Sequence, residues 1–292
     1  TWMIFPSERW LPVQTVTTPQ AYLRFFDVGH GQAVLLQAEG KNFLFDGGTS
    51  WGGQRLLELL REYQVDHLDA VFLSRPESEY IGALRHVLLY LGVAKVYDGS
   101  TAMGDLTYRL LIQEVKSLGI PYHKVASGDR LRLTPRVEVT VLTPLRGMEE
   151  AVPPGTSEMD DGLGFILQFG QFRALLIGGL SHPAEETLVR VYGQGSGEQV
   201  SKLHAEVLHV PRHGAQDAVS SALLQSVRPD VAVIQVGPYN EQGLPDMMLL
   251  ERLHKAGVSV YRTDRLGHIT VWTDGFSWGI VTELGGDRTA SA

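Results

Sequence analysis

The apolar and polar positions of this chain alternate between two rhythms. Residues 22–28, 33–38 and 42–45 are short apolar-rich runs. They close at Gly29-His30-Gly31, Glu39-Gly40 and Asp46-Gly47-Gly48, which predicts three strands of an antiparallel meander. Leu56, Leu57, Leu59, Leu60 and Tyr63 then recur at helical spacing, and residues 70–73 form the short apolar run of a buried strand. Helix is predicted over 81–91 and 106–118, strand over 94–97, and a half-buried strand over 137–142, where apolar and polar residues alternate. The second half begins again with strands, since 164–169 and 172–177 flank Gly170-Gln171, a hairpin signal. Helices over 183–192, 218–227 and 247–255 alternate with strands over 206–210 and 231–234, and strands over 258–261, 269–272 and 278–281 finish the chain.

Each half runs strands first and then alternates helix with strand, and no linker separates the halves. This predicts one α/β domain over 21–292, built as two mixed sheets face to face with helices outside. Residues 1–20 carry Pro6, Pro12 and Pro19 without periodicity and read as a linker. Residues 145–162 read as a long acidic loop and 193–197 as a flexible one.

Composition narrows the chemistry. The chain has 292 residues, 43% of them hydrophobic and 20% charged, with a formal net charge of −8. That is ordinary globular material. The absence of Cys removes disulfides, thiolate metal ligands and Cys nucleophiles together. No apolar run approaches the roughly 20 residues of a membrane helix, so any anchor is expected outside this chain, and the start at Thr1 suggests an excised piece. The acidic balance argues against broad electrostatic capture of nucleic acid, while leaving room for a local basic cleft.

Several stretches together resemble one family. Phe26-Asp27-Val28-Gly29-His30-Gly31-Gln32-Ala33 and Phe45-Asp46-Gly47-Gly48 look like the opening of metallo-β-lactamase-fold domains. Residues 73–84, from Leu73-Ser74-Arg75-Pro76-Glu77-Ser78-Glu79-Tyr80 onward, sit where that fold has its first metal motif. Leu208-His209-Val210-Pro211-Arg212-His213-Gly214-Ala215 and the segment from Tyr261 to Gly275 follow in the same order. The likeness over residues 22–275 is to the C-terminal domain of the ComEC/Rec2 competence (DNA internalisation) family. It implies a metallo-β-lactamase-like αββα sandwich.

The resemblance also implies where metal ligands would fall, and this sequence departs there. The two His of the first motif become Arg75 and Tyr80, and its acids become Glu77 and Glu79. The Gly-Asp whose Asp bridges two metals is Gly178-Gly179. The first His of the His-His-Gly segment is Arg212, the acid of the opening is Gln32, and a late Gly-His-Pro is Gly243-Leu244-Pro245. A dinuclear hydrolytic site needs neutral imidazoles and carboxylates converging on two cations. An Arg guanidinium stays protonated and cannot ligate. The expectation is therefore a relic cleft of Arg75, Glu77, Glu79, Tyr80, Gly179, Arg212 and His213. Arg75 and Arg212 are expected to pair with Glu77 and Glu79 in place of the metals. No cofactor is expected. Glu77, Glu79 and His213 are the weak candidates for a residual metal, Zn or Mn.

Each residue has a plainer reading. Asp46 is first a turn former, His213 a hydrogen-bonded cleft His, and His30 a solvated loop His. Glu77 and Glu79 are ion-pair partners before they are an acid/base pair. His182, His204, His209, His254 and His268 read as structural or surface residues. Three functions follow. The first is a non-catalytic domain of a DNA-uptake channel, contacting DNA or regulating the channel, with Arg75, Arg212, His213 and His30 as binding residues. In that reading Arg75 and Arg212 make a phosphate-sized anion site. The second is an active metal-dependent nuclease or phosphodiesterase. The third is a protein-interaction domain. The resemblance implies a membrane channel protein as parent and an extracytoplasmic position, with a cytoplasmic protein as the alternative.

Overall fold

The computed structural model describes residues 20–100, 106–146, 162–194, 201–285 and 288–290. Nearly all of the linker expected over 1–20, most of the acidic loop expected over 145–162, and residues 195–197 of the loop expected over 193–197 lie outside the described residues.

The strands in chain order are β1 (Ala21–Phe25), β2 (Val34–Ala38), β3 (Lys41–Phe45), β4 (His67–Leu68), β5 (Ala70–Leu73), β6 (Gly92–Val93), β7 (Val96–Asp98), β8 (Tyr122–Lys124) and β9 (Arg130–Arg132). They continue as β10 (Val137–Thr143), β11 (Gly164–Phe169), β12 (Phe172–Leu176), β13 (Val207–His209), β14 (Val231–Ile234), β15 (Ser259–Arg262), β16 (Ile269–Thr273), β17 (Trp278–Thr282) and β18 (Arg288–Ala290). The helices are α1 (Gly53–Glu62), α2 (Ser78–Ile81), α3 (Leu84–Tyr90), α4 (Leu106–Ser117), α5 (His182–Tyr192), α6 (Ser221–Val227), α7 (Met247–Lys255) and α8 (Thr263–Leu266).

One sheet runs β18-β17-β16-β1-β2-β3-β5-β7-β8 and the other β15-β14-β13-β12-β11-β10-β9, with β4 and β6 as a separate pair. Alternation along the strands assigns the layers. Leu23, Phe25, Phe45, Phe72, Val139, Phe165, Phe169 and Val233 interlock as the core between the two sheets. The opposite faces are covered separately. Leu56, Leu59, Leu60, Leu84, Val87 and Leu111 seal α1, α3 and α4 onto Leu35, Leu44 and Val71. Leu188, Leu223, Val227, Leu249 and Leu253 do the same for α5, α6 and α7 on Leu175, Leu208 and Ile234. The αββα order expected from the sequence is the observed one. No helix among the described residues is long and apolar enough to cross a membrane.

Local chemistry explains the differences from the sequence reading. The helix expected over 81–91 is α3, which starts only at Leu84, with the short α2 separate before it. Gly82 caps α2, and a Cβ there would overlap the backbone of Ser50 and Ser78. The helix expected over 218–227 starts at Ser221, because the Ser220 side chain accepts the Leu223 N–H as its N-cap. The hairpin at Gly170 stands, with Gly170 at φ +62 pressed against the Gly275 carbonyl.

Strands β3, β5, β12, β13 and β14 pair in parallel within their sheets, so their C-terminal loops emerge together. The loop between β1 and β2 and the loop after β5 both reach the loop after β12 and join the two sheets at that end. Gln32 Nε2 donates to the Gly178 carbonyl at 2.9 Å, and Arg75 Nη1 donates to the Gly179 carbonyl at 2.7 Å.

Candidate functional site

The cleft at this end encloses about 570 Å³ and is lined by Arg75, Glu77, Ser78, Glu79, Tyr80, Arg212, His213, Ala215, Gln242 and Leu244. The structure thus brings together the two arginines, both glutamates, Tyr80 and His213 as the sequence predicts. Gly179 lies directly behind Arg75.

Asp46 is the deepest support. It ends β3 in the left-handed region at φ +58, which Asp tolerates better than most residues. Its carboxylate accepts from Ser74 N–H at 2.8 Å and Ser74 Oγ at 2.5 Å, tying the loop after β5 to the loop after β3. It is therefore more than a turn former. Burial pushes its pKa up to about 7, against the opposing effect of the Ser74 bonds.

Arg75 is 5% exposed and its guanidinium is fully engaged. Nε and Nη2 form a fork onto Glu77 at 2.9 and 2.5 Å, and Nη1 holds the Gly179 carbonyl. Its aliphatic stem occupies the space beside Gly179. A Cβ on Gly179 would lie 2.5 Å from Arg75 Cγ and 2.6 Å from Cδ. The expected Arg75–Glu77 pair is present.

The second expected pair is not. Arg212 Nη2 binds Asp217 Oδ1 at 2.6 Å, and Glu79 instead faces His213, with Oε2 3.5 Å from Nε2. The reason is local backbone. Arg212 and His213 are consecutive left-handed residues at φ +50 and +53, which turns the Arg212 side chain toward Asp217 and His213 into the cleft. Both arginines therefore bring their own carboxylate. The anion site expected from Arg75 and Arg212 is neutralised at each half.

His213 is 3% exposed, and its Nδ1 lies 2.7 Å from the Gln235 carbonyl. A carbonyl only accepts, so Nδ1 carries the proton and Nε2 points into the cleft. Nε2 has no hydrogen-bond partner. Glu79 at 3.5 Å is within ion-pair range only. The neighbouring imidazole holds the Glu79 carboxyl below its ordinary pKa.

His30 is not a free loop residue. Its ring lies 4.2 Å from that of His213, its Nε2 meets Gln242 Oε1 at 2.9 Å, and burial followed by the neighbouring His213 lowers its pKa. His209 is buried rather than at the surface. It sits beneath the cleft against Gly178, its Nε2 has no hydrogen bond, and burial drives its pKa down to about 3. Of the two readings expected for His209, structural or surface, the structure shows the first; its place two residues before Pro211 in a matched segment was the available signal.

Among the described residues, no three His, Asp or Glu side chains converge as a metal site would require. Among the described residues the donor set does not fit two metals: a guanidinium stands at the first matched motif position, and its stem fills the space beside Gly179.

Comparison with known proteins places this geometry. The family model described as the metallo-beta-lactamase superfamily matches residues 26–237. The chain belongs to the metallo-β-lactamase superfamily. Recombination protein 2 of Haemophilus influenzae is 26% identical over 249 residues, covering 84% of this chain and 28% of that protein. ComE operon protein 3 of Bacillus subtilis is 23% identical over 261 residues, covering 83% and 32%. Competence protein ComA of Neisseria gonorrhoeae is 24% identical over 263 residues, covering 87% and 32%. These names carry the competence resemblance seen in the sequence. The chain spans about a third of the length of these curated relatives. Among solved structures, the metallo-beta-lactamase fold protein YhfI from Bacillus subtilis superposes with a TM-score of 0.54 at 11% identity, covering 87% of this chain and 100% of that one. The likeness is one of fold.

Proposed function

We propose that this chain is a non-hydrolytic metallo-β-lactamase-like part of a DNA-uptake protein, contacting DNA or regulating its channel. In this reading the parent is membrane-attached and this part lies outside the cytoplasm. The observation that carries the loss of hydrolysis is the Arg75 stem beside Gly179. An acid at 179 and an arginine at 75 compete for one volume.

Nucleic-acid contact, in this reading, is not made by the cleft arginines, because Glu77 and Asp217 already neutralise them. It falls to exposed cations. Arg130 and Arg132 on edge strand β9 are both exposed and point to one face of their strand. In this reading such a local pair of arginines meets phosphates despite a net charge of −8.

Two measurements test this. Elemental analysis of the purified chain should find far less than two Zn or Mn per chain. Two tightly held metals, with Mn-dependent DNA cleavage abolished by Glu79→Ala, would restore the nuclease reading. Fluorescence anisotropy with a labelled oligonucleotide should show affinity falling with salt. Arg130→Ala with Arg132→Ala should weaken binding and reduce the salt slope by about 2. Arg212→Ala should leave binding almost unchanged. Absent or salt-independent binding removes the nucleic-acid contact.

A further inference from the structure

The second sheet ends at β15, which pairs with β14, and among the described residues no strand lies on its other side. The ladder fixes where each backbone group points. Ser259 N–H donates to the Asp230 carbonyl at 3.0 Å, and the register sets Ser259 against Val231 and Tyr261 against Val233. Alternate residues of a parallel ladder face the partner strand, so Ser259 and Tyr261 spend their backbone groups on β14. The Val260 N–H and carbonyl and the Arg262 N–H therefore face outward, and no bond outside the ladder engages them among the described residues. This edge lies in a groove of about 780 Å³, between Leu250 and His254 of α7 and Arg265 and Leu266 of α8. A second groove of about 840 Å³ continues it past Gly257, Val258 and Ser259. Apolar side chains flank the strand on both faces. Leu250 and Val260 are half-buried on the helix side, and Tyr261 and Leu266 are half-buried on the side of the core between the sheets. The grooves carry excess positive charge. Arg262 is forked onto Asp264, but Arg265 and Arg228 are exposed and have no ion-pair partner among the described residues. Asp230 is the one carboxylate in either lining.

We propose that the β15 edge takes an extended acidic segment of a partner protein as an added strand. The segment's backbone bonds Val260 and the Arg262 N–H, its apolar side chains lie on Leu250 and Leu266, and its carboxylates meet Arg265 and, along the adjoining groove, Arg228. Strand addition draws affinity from the backbone bonds and specificity from the alternating side chains. Charge selects the occupant. A second copy adding its own β15 would bring arginine against arginine, the device by which edges avoid self-pairing, whereas an acidic strand is attracted. The inference concerns only this edge and rests neither on the cleft nor on DNA contact at strand β9.

The test is amide hydrogen exchange by NMR on the full 15N-labelled chain, with folding checked by circular dichroism. The probe is an acetylated hexapeptide amide of alternating glutamate and valine. Its lysine–valine counterpart and a copy N-methylated along the backbone serve as controls. Saturating acidic peptide should slow exchange at the Val260 and Arg262 amides by about tenfold or more, and leave Tyr261, already bonded to β14, unchanged. The N-methylated copy should give no protection. Val260→Pro removes the outward donor without touching the ladder, which edge strands admit, and should weaken the acidic peptide by about tenfold. Arg265→Glu, at an exposed position, should weaken it by about fivefold and favour the lysine peptide instead. The proposal is overturned if the acidic peptide protects neither amide, or if the lysine or N-methylated peptide protects them equally. It is also overturned if folded Val260→Pro binds the acidic peptide as wild type does. Sedimentation of the chain alone supplies the last outcome: a dimer that Val260→Pro dissolves assigns the edge to a second copy and overturns the acidic partner.

Discussion

Replacing Gly179 with Asp should destabilise the fold by about 3 kcal/mol or more, and changing Arg75 to His in the same chain should recover part of that loss. The single change places a Cβ 2.5 Å from Arg75 Cγ, and the clashing atom belongs to a stem that cannot swing away. Arg75 is held at three nitrogens, by Glu77 and by the Gly179 carbonyl. The new carboxylate would also be buried, and burial raises the cost of its charge. Arg75→His alone removes the clash but leaves Glu77 without its fork. Because the Glu77 side chain is 36% exposed, water compensates much of that loss, and the cost should be only about 1–2 kcal/mol. The two effects share one volume, so they should not add. Urea denaturation of the two single variants and the double variant measures the coupling. We expect the double variant to be more stable than the sum by at least about 1 kcal/mol. Additivity within about 0.5 kcal/mol would falsify the claim that Arg75 and an acid at 179 exclude each other.

This volume exchange shows what the sequence made legible and what it did not. The layers were readable because they follow from period: Leu56, Leu57, Leu59 and Leu60 mark the buried face of α1, and alternation over Val137–Thr143 marks β10. Strands β8 and β9 were missed because they are three residues long with mostly polar, exposed positions, and edge strands need no apolar run. The positions of Arg75, Glu77, Glu79, Arg212 and His213 followed from motif order. Their partners did not, because partner choice is set by backbone conformation. Two successive left-handed residues send Arg212 to Asp217, and nothing in residue spacing announces them. A buried node was invisible for the same reason. Asp98, fully buried, accepts from Ser100 N–H and Oγ at 2.7 Å each, from Tyr108 at 2.7 Å, from Lys124 at 3.0 Å and from Tyr122. Only folding brings those donors together.

The pH dependence of stability should carry two opposing contributions from beneath the cleft, and Asp46→Asn should expose one of them. Asp46 has its pKa raised by burial from 3.8 to about 7. A raised carboxyl binds its proton more tightly folded than unfolded. Its stabilising contribution is complete below the unfolded pKa and is lost as pH rises through about 7. The loss is on the order of 4 kcal/mol. His209 runs the other way. Burial, with the neighbouring His213 second, lowers its pKa from 6.5 to about 3, so its contribution is complete above 6.5 and is lost as pH falls toward 3. The two windows overlap, and in wild type their slopes largely cancel across the shared range. Asn at 46 keeps an acceptor for the Ser74 N–H, tolerates φ +58 and does not titrate. Removing the Asp46 contribution should leave stability rising with pH between about 4 and 6.5, at up to about 1.4 kcal/mol per pH unit. At pH 8 the variant should be at least as stable as wild type, because no buried carboxylate remains to be ionised. Asp46→Ala should instead be destabilised most at low pH, by about 2–4 kcal/mol, since Ser74 loses its acceptor and alanine is strained at φ +58, and the deficit should shrink as pH rises through about 7. Chemical denaturation at half-unit pH steps separates these outcomes. Parallel pH profiles for wild type and Asp46→Asn would show that Asp46 titrates alike in the folded and unfolded chain.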